Sequence, residues 1–133
     1  MSMLQIIHGE LRWILAFIAV IAIVKFAVGW LSKTKYSALD QRLMSVFTIA
    51  MDINLTLGLI LLIWKGIVQS AWPAARLEHA VTMFIAVAIA HSAAAWRRSP
   101  DDGKKFRNNL AVVLAALLVV FFGVLRLRGT WMF

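Results

Sequence analysis

Three histidines carry most of the chemistry this sequence can offer, and no cysteine accompanies them. Disulfides, thiolate metal sites and cysteine nucleophiles are therefore excluded. His8 and His79 open the first and third of four apolar stretches, and His91 lies well inside the third. In a chain that runs up and down through four helices, helices one and three run in the same direction, so His8 and His79 stand at one level. Two imidazoles at equal depth on different helices are what a six-coordinate b-type haem requires. Met83 follows His79 by one turn on the same face and offers an alternative axial ligand. Arg12 follows His8 by one turn and is placed to meet a haem propionate. The expected cofactor set is thus His8, His79, Met83 and Arg12, with the two histidines on the iron. A plainer reading stands beside it. Imidazoles are at home at a membrane interface, and helices one and three are diagonal in a four-helix square, which leaves their separation open.

His91 and Asp52 form a second constellation. Twelve residues separate His91 from His79, about 18 Å along a helix and about 120° around it, so a stacked pair of haems on helix three is not expected. With only three histidines, at most one haem has two histidine ligands. Helices two and three are antiparallel, and equal counts down each arm from their shared loop bring Asp52 level with His91. A lone carboxylate deep in lipid costs about 2.5–3.5 kcal/mol on insertion scales, so a partner is expected for Asp52. The pair reads either as a proton-handling or quinone-facing site, or as a hydrogen bond that fixes helix register, worth about 0.6 kcal/mol. A contact of Asp52 with another subunit is a further option. Asn54 and Thr56 lie at nearby depths on other faces. Glu10 and Glu78 accompany His8 and His79, but their spacing matches no specific metal pattern, and Glu78 also complements the positive end of its helix. No phosphate loop, nucleophile elbow or HExxH is present, so no catalytic residues are assigned.

The elements that must position these residues follow from composition. Of 133 residues, 62% are hydrophobic and 15% charged, too few charges for the polar shell of a soluble domain. The apolar residues fall into four blocks, predicting an all-α integral membrane protein whose four transmembrane helices form one up-down antiparallel bundle over residues 1–133. The helices are expected over about 11–31, 43–64, 77–96 and 109–128, with the first helical pattern starting nearer Met3; each is long enough to cross ~30 Å of hydrocarbon. The first block is too long for a cleavable signal, and Ser32-Lys33-Thr34-Lys35 follows it as a basic stop. Trp13, Trp30, Trp64, Trp72, Trp96 and Trp131 all fall at predicted helix ends, as an aromatic belt requires. Ala86, Ala90 and Ala94 recur at four-residue spacing and predict a smooth stripe for a neighbouring backbone or a flat cofactor.

The net charge of +8 resides in loops, where it signals topology and anionic headgroups rather than nucleic acid. Lys33, Lys35, Arg42, Arg97, Arg98, Lys104, Lys105 and Arg107 flank the loops after helices one and three. Arg12, Lys65, Arg76, Arg126 and Arg128 lie on the opposite side. This bias places loops one and three in the cytoplasm and both termini outside, with Lys25 snorkelling toward the cytoplasmic surface.

These residues together resemble a family of small bacterial four-helix membrane proteins labelled cytochrome-b-like. The resemblance rests on His8 with Arg12-Trp13, Gly29-Trp30-Leu31, Asp52 with Asn54 and Gly58, Glu78-His79, and His91. It implies a b-type cytochrome, or a subunit associated with electron transfer, in the bacterial inner membrane. The expected function is a small subunit of a larger membrane electron-transfer complex, docked on other integral membrane subunits and lipid, with haem b between helices one and three. The alternatives are a cofactor-free accessory subunit that braces neighbours or binds lipid or quinone, and a proton or solute pathway built on Asp52 and His91.

Overall fold

The computed structural model describes residues 2–128, and Trp131 lies outside them. The chain is an all-α bundle of four helices, each long and apolar enough to cross a membrane. They are α1 (Met3–Ser32), α2 (Ala38–Gln69), α3 (Ala74–His91) and α4 (Asp102–Arg128), and a 3₁₀ segment over Ser92–Trp96 extends α3. Each helix packs on its neighbours in sequence, and α1 packs on α4 to close the ring, so α1 and α3 stand on one diagonal. Large side chains such as Phe17, Val24, Leu31, Ile53, Val81 and Phe122 point outward, the arrangement expected where the solvent is hydrocarbon.

The first two helices overrun their apolar blocks because polar caps, not hydropathy, start them. The Ser2 hydroxyl accepts from the Gln5 amide and starts α1 at Met3, where the helical pattern is expected to begin, eight residues before the apolar block at 11. Ser37 and Asp40 form a reciprocal capping box that starts α2 at Ala38 rather than about 43. Lys33 and Ser70 close α1 and α2 in the left-handed conformation. His8 and Trp13 therefore lie well inside α1. Trp13 marks the edge of the apolar span and not the end of its helix.

The alanine stripe is shorter than its spacing implies. Ala86 and Ala90 are fully buried, whereas Ala94 is exposed. The 3₁₀ turn from Ser92 winds tighter than an α-helix and rotates Ala94 off the face that Ala86 and Ala90 share.

The two ends of the bundle are built differently. At the end that carries the loops after α1 and α3, Phe26, Phe47, Phe106 and Met44 are fully buried, and the Phe106 ring occupies the space where a Cβ on Gly29 would sit. Tyr36 packs edge-on to Phe106 at 5.1 Å. A chain of hydrogen bonds crosses this end. Trp96 Nε1 donates to Asn109 Oδ1 at 2.7 Å, Asn109 Nδ2 donates to the Tyr36 hydroxyl at 2.7 Å, and Tyr36 donates to Gln41 at 3.0 Å. Lys25 is half exposed and sits 2.8 Å from the buried Asp40 carboxylate. Its expected reach toward the surface therefore ends on a specific partner, the same carboxylate that caps α2.

Candidate functional site

At the opposite end the packing opens. The first turns of α1 and α3 and the last turns of α2 and α4 enclose a cavity of about 410 Å³, within the roughly 300–1,000 Å³ range of small-molecule sites. Its walls include His8, Arg12, His79 and Met83, so the two histidines on the diagonal helices face one common space.

Each ring is positioned by a backbone feature of a neighbouring helix. The His8 imidazole lies directly on α2, where a Cβ on Gly58 would come within 2.8 Å of Cε1. Only a residue without a side chain leaves room for the ring at that height. His8 Nδ1 and Asn54 Oδ1 are both buried without a hydrogen bond of normal geometry, and the ring lies against the Asn54 side chain and backbone. His79 Nδ1 lies 3.3 Å from the carbonyl oxygen of Gly123 on α4. A carbonyl only accepts, so the ring proton resides on Nδ1 and the lone pair on Nε2. A carbonyl-anchored imidazole of this kind is the usual support for a metal-ligating histidine.

Charge gathers at the open end. Arg12 is 5% exposed, bonds to the carbonyl of Gly9 and stacks over the Trp13 ring with 5.0 Å to its centroid. Lys65, Arg76 and Arg128 also border the cavity, and Arg76 donates to Gln69 at 2.9 Å. Deeper in, the walls become apolar, with Leu15, Met51, Val87 and Val120 as the floor. Two imidazoles above an apolar floor and below a cationic rim suit a flat, largely apolar ligand with a metal centre and an anionic edge.

The two glutamates stand apart from this space. Neither Glu10 nor Glu78 borders it, and Glu78 pairs on the surface with Arg126 at 3.2 Å. No group of three or more histidine, aspartate or glutamate side chains is disposed to hold a bare metal ion among the described residues. A centre built from His8, Glu10, Glu78 and His79 is therefore not formed, because α-helical rotation turns both carboxylates outward.

Asp52 and His91 meet as their depths require. Asp52 Oδ1 lies 2.8 Å from His91 Nε2. The pair faces outward, with side-chain exposures of 41% and 55%, and borders no part of the cavity. Thr56 is turned to its own helix, its hydroxyl donating to the Asp52 carbonyl at 2.9 Å.

Gly58, Asn54 and the Gly123 carbonyl are the site residues that spacing alone does not single out. Gly58 and Asn54 share a face of α2, four residues apart, and this is the signal that points to them. A main-chain carbonyl leaves no mark in sequence. No family model matches the chain, and no significant match exists among curated proteins or solved structures.

Proposed function

We propose that this chain is a small electron-transfer subunit of a membrane complex, holding one b-type haem in the cavity between His8 and His79. The observation that carries the proposal is the shared space: two imidazoles from diagonal helices border one cavity. The residues fit the group. His79 bonds through Nδ1 and keeps its lone pair on Nε2, His8 borders the same cavity beside Asn54, and Met83 stands one turn from His79 as a further soft donor. Arg12, Lys65, Arg76 and Arg128 supply cationic partners for two carboxylates. Haem supplies a one-electron iron couple when bound. The chain's own contribution is to fix the axial ligands, exclude water with Leu15, Met51, Val87 and Val120, and neutralise the acidic edge.

The excess of lysine and arginine at the loops after α1 and α3 supports a bacterial inner-membrane location with both termini periplasmic, the cavity opening on that side. The short loops leave little surface for soluble partners, whereas the outer helix faces offer much for other membrane subunits.

A reduced-minus-oxidised visible spectrum of the detergent-purified protein from haem-replete cells tests the reading. A Soret and α-band change is expected, lost in His8→Ala and His79→Ala and retained in His91→Ala. No spectral change in the wild type overturns the haem reading and leaves a cofactor-free accessory subunit. Loss in His91→Ala alone overturns the choice of site.

A further inference from the structure

The Asp52–His91 pair is a polar feature in the wrong place for a monomer. Asp52 lies ten residues from Arg42 along an α-helix, about 15 Å, and His91 six from Arg97 through a 3₁₀ segment, about 12 Å, so both sit within the hydrocarbon layer of a bilayer. Their side chains are nevertheless about half exposed on the outside of the bundle. Charged or strongly polar groups at that depth normally face protein. Beyond the 2.8 Å contact between Oδ1 and Nε2, neither Asp52 Oδ2 nor His91 Nδ1 bonds to any other described side chain. One outward acceptor and one outward ring nitrogen are left side by side.

The two helices that carry the pair are also the least buried of the four. Within the apolar spans, 17% of α2 and 11% of α3 is buried, against 28% of α1 and 33% of α4. Around His91 the outward residues are small: Ala88, Ser92 and Ala95 are all exposed on the same side. Small side chains at that spacing let another backbone approach closely in a membrane.

We infer that the outer face of α2 and α3 is a homodimer interface, in which the Asp52–His91 pair of one copy docks against the same pair of a second. The geometry of the pair selects this occupant. Asp52 and His91 lie at one depth on adjacent helices, so the direction from one to the other runs in the membrane plane. A two-fold axis along the membrane normal preserves depth and reverses every in-plane direction. It therefore sets Asp52 of each copy opposite His91 of the other. The dipoles of the two hydrogen-bonded pairs become antiparallel and attract, and the patch is its own complement, as an isologous contact requires. The same operation keeps both copies in one membrane orientation.

The absence of native cysteine makes the test direct. Single cysteines are placed in the full-length protein at Ala88 or Ala95, and as a control at Leu118 on the lipid-facing side of α4, 67% exposed. Oxidative cross-linking in native membranes should yield a disulfide-linked homodimer from Ala88→Cys and Ala95→Cys but not from Leu118→Cys. In the Ala88→Cys background, Asp52→Leu and His91→Leu should each abolish the product, and the exchanged double variant Asp52→His/His91→Asp should restore it, because the swapped pair is still self-complementary. Cross-linking from Leu118→Cys alone, from none of the positions, or undiminished by Asp52→Leu and His91→Leu overturns the interface. Failure of the exchange to rescue the product overturns the role of the pair. None of these readouts depends on haem.

Discussion

His79 hydrogen-bonds through Nδ1 to the main-chain carbonyl of Gly123, 3.3 Å away on the neighbouring helix. The contact ties the ring of α3 to the backbone of α4 and places the ring proton on Nδ1. His8 is held by shape, against the bare backbone of Gly58. The two rings of one site are thus fixed by different physics, one by a bond and one by a missing side chain.

That difference makes Gly58 separable from stability. In a helix interior, glycine to alanine gains about 1 kcal/mol of intrinsic propensity, yet at this position the new Cβ would stand 2.8 Å from His8 Cε1. Gly58→Val should displace the ring further. We expect both variants to fold and reach the membrane, and the haem site proposed above requires haem content per protein to fall from wild type through alanine to valine. Absorbance ratios and thermal unfolding in detergent measure the two effects on one sample. Full haem content in Gly58→Val would show that His8 needs no clearance from α2.

At the opposite end, Asp40 serves two masters, capping α2 through Ser37 and pairing with Lys25. Asp40→Ala should cost about 1–3 kcal/mol, from the lost cap and the charged hydrogen bonds. Lys25→Met leaves a buried carboxylate without its cation. The double variant Lys25→Met/Asp40→Asn should accordingly be less destabilised than the sum of its single changes, a coupling that a double-mutant cycle in mild detergent would read. Strict additivity would mean the two groups do not sense each other.

Tyr36 is the sole tyrosine, and burial pushes its phenol up to about 12, from an ordinary value of 10.0. An upward shift on folding means the unfolded chain ionises first. The contribution is fully present below pH 10 and is lost as pH rises from 10 to about 12. An ultraviolet titration should show phenolate appearing near the upper value in the folded protein and near the lower one after denaturation. Tyr36→Phe should lose less stability than wild type across that window. A folded-state midpoint near 10 would contradict the buried position of the ring.

The parts of this molecule readable from sequence are those set by periodicity and depth. Four apolar blocks separated by charge require four crossings, and equal counts along antiparallel arms suffice to bring Asp52 to His91. His8 and His79 share a level for the same reason. Rotation about each helix is less legible, because it depends on packing and on local winding. Ala94 leaves its stripe through a 3₁₀ turn, and Glu78 turns outward to Arg126. The helix ends extend past the apolar blocks because Ser2, Ser37 and Asp40 satisfy amides that hydropathy does not count. Lys25 finds Asp40 across a helix boundary, a pairing no single-helix pattern contains.

The contrast between the two ends of the bundle has a consequence for transport. The cavity stops at Leu15, Met51, Val87 and Val120, the layers beyond are filled by Met44, Phe47, Phe26 and Phe106, and the hydrogen-bonded chain Trp96–Asn109–Tyr36–Gln41 ties the helices together at the far end. Asp52 and His91, the titratable groups at mid-depth, lie outside the wall and so provide no stepping stone. What enters at the histidine end must leave the way it came. The bundle is a cup with a closed base, shaped to retain a guest at its open end.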